Sequence, residues 1–127
     1  MRKARPLVAA TAVALSIIAQ IAPASAQDAT AGKKVFQTYC SVCHTVQPER
    51  NLIGPSLFGV VGRPSGHVPG FRYSEANRKS GLTWSIATLD RYLTAPGQVV
   101  PGTLMTFPGL KDGKQRADLI AYLATLH

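Results

Sequence analysis

Two cysteines and a histidine stand together in the sequence, as Cys40-Ser41-Val42-Cys43-His44. Residues at i and i+3 of a helical turn point to the same side. Two thiols placed in this way can each add to one vinyl group of a porphyrin, and His44 can reach the metal from that side. Cys-x-x-Cys-His is the attachment pattern of a c-type haem, and neutral imidazole is a good iron ligand. The motif therefore predicts one covalently bound haem c.

Three other interpretations of the two cysteines are open from the residues alone. A redox disulfide usually opens a helix of an α/β fold, but no βαβ pattern is visible in this sequence. A zinc site would use both cysteines and the histidine, but its fourth ligand is not evident. A structural disulfide fits an exported chain. The adjacent histidine and the apolar loop that follows favour haem.

Met105 is the candidate for a second iron ligand, 61 residues after His44. A lone methionine is more often a core residue than a ligand. Met105, however, lies in a segment rich in Pro and Gly, residues 101–109, and such a rigid loop can present a weak thioether ligand to the far side of the iron. Methionine opposite histidine raises the reduction potential and fills the sixth position. We therefore predict His44 and Met105 as axial ligands, with the Pro55 carbonyl as acceptor for the second ring nitrogen of His44.

The composition limits the class of protein. The chain has 127 residues, 14 Lys and Arg against 6 Asp and Glu, a formal charge of +8 and 46% hydrophobic residues. It is long enough for one domain and is neither a disordered tail nor a polytopic membrane protein. Two cysteines exclude a multi-disulfide scaffold and a four-thiolate metal site. The basic residues are scattered without a nucleic-acid-binding motif, so we expect no nucleic-acid partner.

Residues 1–26 have the pattern of a cleaved secretory signal. Three basic residues precede an apolar stretch, residues 7–22, and an Ala-Ser-Ala sequence ends at Ala26. The apolar stretch is shorter than the roughly 20 residues needed to span a bilayer. Cleavage would leave a single domain, residues 27–127, with a formal charge of +5, since the segment carries three basic and no acidic residues. We expect this domain in the periplasm.

Apolar periodicity predicts an all-α fold of about four helices. We place them from Ala29 to Tyr39, Ser74 to Lys79, Ser85 to the residue before Pro96, and Gln115 to Leu126. Two long loops, residues 48–71 and 96–109, are rich in Gly and Pro but also in apolar residues. Loops of this length are unusual unless they are functional. We expect them to wrap around the haem.

Residues 29–127 resemble the class I cytochromes c, and are most similar to cytochrome c2 and the mitochondrial type. The resemblance is carried by residues 32–36, Cys40 to His44, residues 54–57, 62–63, 73–77, 81–84, 92–93, 101–105 and 116–123. It implies the cytochrome c fold, in which Gly32 and Phe36 pack against Leu119 and Tyr122 where the terminal helices cross.

The resemblance also implies roles for further residues around the haem. Arg63, Tyr73 and Trp84 should bind the haem propionates. Asn77, Tyr92 and Thr103 should form a polar network around the haem and the Met105 sulfur. Phe107 should cover the haem near its exposed edge. His67 and His127 lie in a loop and at the last position, and we do not expect them to bind iron.

The function implied is that of a soluble one-electron carrier, not an enzyme. Its partners would be membrane redox complexes: a cytochrome bc1-type donor, and an oxidase or a reaction centre as acceptor. We expect a monomer with at most peripheral membrane contact. Positive charge favours acidic docking sites, and Lys34, Lys111 and Lys114 are the docking candidates. The alternative function is a haem peroxidase or small-gas binder, which needs a vacant or displaceable sixth ligand.

Gln98 and Leu104 depart from the family pattern, since mitochondrial relatives often carry lysine at these positions. The docking face should therefore be less basic and the partner contact more apolar. The change also removes the nearest lysines that could replace Met105 on iron at high pH. We predict a weaker or later alkaline ligand exchange than in lysine-rich relatives. A pH titration that shows early loss of the methionine–iron absorption band would contradict this.

Overall fold

Five helices make up the regular structure of residues 26–127, the part of the chain that this computed structural model describes. They are α1 (Ala29–Tyr39), α2 (Glu75–Lys79), α3 (Ile86–Thr94), α4 (Pro96–Val99) and α5 (Gly113–Leu123). Within this range no strand forms, and the only bridge joins Pro64 to Thr83. The all-α prediction is confirmed. The predicted signal, apart from Ala26, lies outside the described residues.

The first helix begins where the sequence offers a cap. The Asp28 carboxylate accepts hydrogen bonds from the backbone N–H groups of Thr30 and Ala31, which would otherwise lack partners at the helix start. The helix buries Gly32, Val35 and Phe36. Their spacing places them on one face, and this face packs against α5.

Close contact between α1 and α5 holds the two ends of the chain together. The rings of Phe36 and Tyr122 lie 5.8 Å apart between centroids. At Gly32 the backbones come so near that an added Cβ would lie 1.8 Å from the Asp118 carbonyl oxygen. The buried Asp118 carboxylate accepts a hydrogen bond from the Asp28 N–H at 2.9 Å. The helix crossing expected between the terminal helices is thus present.

We predict that the Asp118 contacts make the protein sensitive to acid. Hydrogen bonds from the Lys114 ammonium, and then from the Asp28 N–H, lower the pKa of Asp118 from its usual range. A lowered pKa in the folded state stabilises the fold above the unfolded-state pKa of about 3.9, and this contribution is lost as the pH falls through the folded-state value. The holoprotein should therefore lose stability below pH ~4, and Asp118→Asn should flatten this decline. Denaturant unfolding at several pH values measures the loss of stability in both proteins. Glu49→Gln, an exposed loop position, is the control and should keep the wild-type pH profile.

The third helix contributes buried side chains to the core. Ser85 caps it by accepting from the Thr88 N–H, and Leu89, Tyr92 and Leu93 are buried. The chain turns at Ala95 into α4, a single short turn with Pro96 at its start. This helix was not expected, because Pro and Gly in succession favour a loop. Proline nevertheless fits the first position of a helix, where its missing N–H is not needed.

The last helix starts earlier and ends earlier than predicted. Its cap is Asp112, whose carboxylate accepts from the Gln115 N–H, so the helix includes Gly113 and Lys114. It ends at Leu123, because the Thr125 and Leu126 N–H groups donate to the carbonyls three residues earlier, those of Tyr122 and Leu123, instead of four. The Leu126 carbonyl accepts from the Gly59 N–H of a loop far away in sequence, and such a tertiary contact cannot be recognised from local periodicity.

The long loops pack into the core rather than extending into solvent. Val60, Val100 and Leu110 are each buried. The Leu110 N–H donates to the Leu93 carbonyl at 2.7 Å, which attaches the 101–112 segment to the end of α3. This bond pairs one N–H and one carbonyl of the backbone, as burial requires. Among the described residues, no helix has the length and apolarity needed to traverse a bilayer.

Candidate cofactor site

The helices and loops enclose one large cavity. It contains about 920 Å³ of space not filled by protein atoms, part of it open to solvent. Its wall is formed by Cys40, His44, Ile53, Gly54, Pro55, Leu57, Val60, Arg63, Phe71, Arg72, Tyr73, Ser74, Asn77, Trp84, Leu89, Tyr92, Leu93, Leu104, Met105, Leu119 and Leu123. Most of these side chains are apolar, and the polar ones are few.

The cysteine motif continues the last turn of α1. The N–H of Cys43 donates to the Cys40 carbonyl at 3.1 Å, and the N–H of His44 donates to the same carbonyl at 2.9 Å. Both cysteines are free thiols and half-buried. Cys40 lies in the cavity wall, whereas Cys43 lies beside it. Burial, assisted by Cys43, raises the pKa of Cys40 to about 11.

The His44 ring is held in one orientation. Its Nδ1 lies 2.7 Å from the Pro55 carbonyl oxygen. A carbonyl only accepts, so Nδ1 carries the proton, and in the neutral ring the lone pair is on Nε2. Burial lowers the pKa of His44, which keeps the ring neutral. The protein thus presents an imidazole with an available Nε2 in the cavity wall.

Gly54 allows this approach of the ring, because it has no side chain. A Cβ at this position would lie 2.4 Å from His44 Cε1 and 2.7 Å from Nδ1. We predict that Gly54→Ala displaces the ring from the Pro55 carbonyl and lowers the free energy of unfolding by about 1–3 kcal/mol. Denaturant unfolding of the purified protein measures the loss. Gly97→Ala is the control, because its Cβ meets no atom within 4 Å; equal stability of the two variants would contradict the steric argument.

A methionine and an aromatic pair form another part of the wall. The Tyr92 hydroxyl lies 3.4 Å from the Met105 sulfur and 3.3 Å from the Thr103 hydroxyl. Trp84 packs against Tyr92, with 4.7 Å between the ring centroids. These contacts fix the sulfur of a loop residue against a buried helix. Met105 and His44 thus supply a soft thioether and a neutral imidazole to one cavity.

Arg63 leaves one buried donor without an acceptor. Its two terminal nitrogens donate to the carbonyls of Phe58 at 2.8 Å and Ser56 at 3.0 Å. Its Nε is the buried side-chain polar atom that has no partner among the described residues. A buried, unpaired charged group is costly. Since Arg63 lines the cavity, a carboxylate of a bound group would satisfy this donor.

Two further polar side chains line the cavity together with Arg63. The Tyr73 hydroxyl accepts from the Val68 N–H at 3.2 Å, and burial raises the pKa of Tyr73. The Asn77 side chain is fixed by Ser74, whose hydroxyl donates to Asn77 Oδ1 at 2.8 Å. Both residues lie in the cavity wall. The polar groups of the site are therefore positioned by other residues before any ligand binds.

The structure places nine of the twelve site residues named from the sequence in the cavity wall. They are Cys40, His44, Pro55, Arg63, Tyr73, Asn77, Trp84, Tyr92 and Met105. Cys43 lies next to the wall. Thr103 and Phe107 line a neighbouring groove instead, with Met105 between the two spaces. His67 is exposed and bonded through Nδ1 to the Ser65 carbonyl, and His127 is exposed at the end of the chain.

Sequence reasoning missed several wall residues. Phe71 packs edge-on against Tyr73 at 4.8 Å and lines the cavity, as do Ser74 and Arg72. The clue in the sequence was their position in the run of residues 71–77, where five of the seven residues line the cavity, including the predicted Tyr73 and Asn77. Ser74 could be recognised only as a helix cap, although it also fixes Asn77.

This donor set fits a haem. The cavity combines an apolar wall, an imidazole, a thioether, a thiol and an unpaired guanidinium N–H. A porphyrin needs apolar faces, axial ligands for its iron and donors for its carboxylates. The fold and cavity therefore define a protein of the small, all-α, haem-binding class.

Comparisons with known proteins identify the family. Residues 29–127 match the family model described as cytochrome c. The chain is 54% identical to a cytochrome c2 of Rhodopila globiformis over 78% of this chain and 93% of that protein. It is 46% identical to a cytochrome c2 of Blastochloris viridis over 84% of each chain. A solved structure of cytochrome cH from Methylobacterium extorquens superposes with a TM-score of 0.72 at 48% identity, covering 77% of this chain and 98% of that one.

The chain belongs to the cytochrome c family. Members of this family carry covalently bound haem c and transfer electrons, so the chain is an electron-transfer protein and not an enzyme. This membership decides against the zinc and disulfide interpretations of the two cysteines.

Proposed function

We propose that the chain is a periplasmic one-electron carrier with one haem c, bound to Cys40 and Cys43 and ligated by His44 and Met105. The observation that carries the proposal is that one cavity brings together Cys40, His44 and Met105, although Met105 is distant from the motif in sequence. When bound, haem c supplies a one-electron iron couple.

The protein's own residues favour electron transfer over substrate chemistry. His44 is oriented by the Pro55 carbonyl and Met105 by the Tyr92 hydroxyl. With both His44 and Met105 bound, a haem iron would have no free position, and exogenous ligands would be excluded. The donors sit on a helical turn and on a packed loop, so their positions need to change little between oxidation states. A peroxidase or gas binder would need Met105 to leave readily, and its contact with Tyr92 opposes that.

We propose that Arg63, Tyr73, Asn77 and Trp84 hold the carboxylate side of the haem. The buried Nε of Arg63 is the donor that most needs an acceptor. Burial of a carboxylate beside Arg63 costs less than burial of either charge alone. The same residues would exclude water from that side. Thr103 and Phe107 line the adjacent groove, and the Thr103 hydroxyl is bonded to the Tyr92 hydroxyl and accepts from the Met105 N–H, so it supports the Met105 loop.

The location and partners follow from the sequence. The predicted signal, residues 1–26, directs export, and we place the mature domain, residues 27–127, in the periplasm. Its partners would be membrane redox complexes, a cytochrome bc1-type donor and an oxidase or reaction centre. A monomer that contacts the membrane at most peripherally suits a diffusing carrier.

Carbon monoxide distinguishes the carrier from the alternative function. The purified, haem-loaded protein is reduced and exposed to carbon monoxide at neutral pH, and its visible spectrum is followed. We expect no change within minutes, together with complete reduction and reoxidation by one-electron mediators. A carbon monoxide adduct that forms at once would favour a gas binder or peroxidase and overturn the carrier proposal.

A further inference from the structure

Large apolar side chains are exposed in the cavity wall and in the turns that adjoin it. Six large apolar side chains are exposed in the part of the chain that the structure describes, and four of them belong here. They are Val42, Leu52, Ile53 and Leu104, with exposed fractions of 80%, 45%, 78% and 72%. We call these four residues the apolar collar. Exposed apolar patches on a soluble protein commonly mark an interaction site.

The collar adjoins both predicted axial ligands. Ile53 and Leu104 line the cavity while most of each side chain is exposed. Leu104 directly precedes Met105, and Ile53 directly precedes the glycine that contacts the His44 ring.

The other two collar residues lie in turns bonded to the same glycine. The Leu52 N–H donates to the Gly54 carbonyl at 2.9 Å, and the Gly54 N–H donates to the carbonyl of Cys43, the neighbour of Val42, at 2.7 Å. Backbone hydrogen bonds thus connect the collar residues to the segments that carry the predicted axial ligands.

Positive charge is sparse in the cavity wall. Residues 26–127 contain eleven Lys and Arg, but only Arg63 and Arg72 line the cavity, and Arg72 is the exposed one. Lys34, Lys111 and Lys114 do not line it. Lys114 is bonded to Asp118 on α5, and the Lys111 ammonium to the Thr94 carbonyl. The cavity lining beside the collar therefore offers a partner little positive charge apart from that of Arg72.

Resting on the proposed carrier function, we infer that the redox partner meets the collar with an apolar patch around its own electron-transfer site, and with one carboxylate facing Arg72. Transient redox complexes bury less than about 1,200 Å² in total, so a partner needs to cover little more than the collar and its surroundings. Apolar burial is not screened by salt, whereas exposed ion pairs are. Docking through the collar therefore depends weakly on ionic strength.

Modified gold electrodes provide partners of known chemistry. One electrode carries a monolayer that ends in mixed methyl and hydroxyl groups, and the other ends in carboxylates. Voltammetry of the haem-loaded protein gives the electroactive coverage from about 0.01 M to about 1 M salt, over which the Debye length falls from ~30 to ~3 Å. Over this range of salt we expect the coverage on the methyl/hydroxyl surface to change by less than about twofold. The coverage on the carboxylate surface should be lower and should disappear at high salt.

Two exposed isoleucines provide a matched pair of variants. Ile53→Ser should lower coverage on the methyl/hydroxyl surface about fivefold or more. Ile86→Ser, at an exposed position on α3 outside the cavity wall, should leave it unchanged. Val42→Ser is a second collar variant and should resemble Ile53→Ser. The visible spectrum of each variant verifies that haem is loaded.

Several outcomes would overturn the inference. Preferred binding to carboxylates that salt abolishes would indicate electrostatic docking, and equal coverage of Ile53→Ser and Ile86→Ser would remove the collar from the contact. Sedimentation that shows a dimer lost in Ile53→Ser would assign the collar to a second copy of the chain. Binding to phosphatidylcholine vesicles would assign it to lipid. If the protein is reduced normally in solution but gives no voltammetric signal on either electrode, docking through the collar is refuted and the carrier function is not. If the protein has no reducible haem, the carrier function is refuted as well.

Discussion

Replacement of Met105 by Ala is expected to lower the reduction potential of the haem-loaded protein by about 0.1 V or more. The thioether is the softer of the two donors in the cavity, and its loss leaves the iron with His44 and an open sixth position. Carbon monoxide should then bind to the reduced protein, and peroxidase activity should rise. Potentiometric titration and the carbon monoxide difference spectrum measure both effects.

Leu104→Ala is the control for this prediction. Leu104 lines the same cavity and belongs to the same loop, but its side chain has no donor atom. Its truncation should leave the potential close to that of the wild type and should admit no carbon monoxide. If Met105→Ala has the visible spectrum and potential of Leu104→Ala, another residue is the sixth ligand.

Gly32→Ala is expected to be strongly destabilising, although it adds a single methyl group. Alanine favours a helix over glycine by about 1 kcal/mol, which would stabilise α1 if the helix stood alone. At Gly32, however, the Cβ would lie 1.8 Å from the Asp118 carbonyl oxygen and 2.9 Å from the Tyr122 Cβ. Backbone cannot rotate away as a side chain can, so the two helices must separate. We expect the free energy of unfolding to fall by about 3 kcal/mol or more.

Gly113→Ala provides the comparison for Gly32→Ala. It is also a helical glycine, and its Cβ would meet only a terminal nitrogen of Arg116 at 3.7 Å. Its stability should equal or slightly exceed that of the wild type. Chemical denaturation of both holoproteins, followed by circular dichroism, tests the pair. A Gly32→Ala protein as stable as Gly113→Ala would mean that α1 and α5 do not cross as closely as described.

Capping residues and apolar periodicity were sufficient to predict α1 and α3. Asp28 and Ser85 cap α1 and α3, and apolar residues recur along the buried face of each, so both were located within a residue of their observed starts. The helix α4 was missed because Pro96 and Gly97 are turn signals. The end of α5 was misplaced because the apolar periodicity continues to Leu126, whereas the backbone bonds after Leu123 change to a three-residue spacing.

The candidate site was predictable in its residue types but not in its details. The Cys-x-x-Cys-His spacing and a methionine in a rigid loop are properties of the sequence itself. The unpaired Nε of Arg63 depends on where the Phe58 and Ser56 carbonyls lie, and only the fold reveals it. The collar depends on which apolar residues remain exposed. Sequence can list Val42 and Ile53 as apolar, but it cannot distinguish them from core residues.

The central claim is that haem is joined to Cys40 and Cys43, with His44 and Met105 on its iron. The most direct measurement combines the intact mass of the exported protein with its reduced-minus-oxidised spectrum. We predict the mass of residues 27–127 plus one haem, resistant to acid extraction, and a methionine–iron band in the oxidised state. A colourless protein with the mass of the bare chain would contradict the claim.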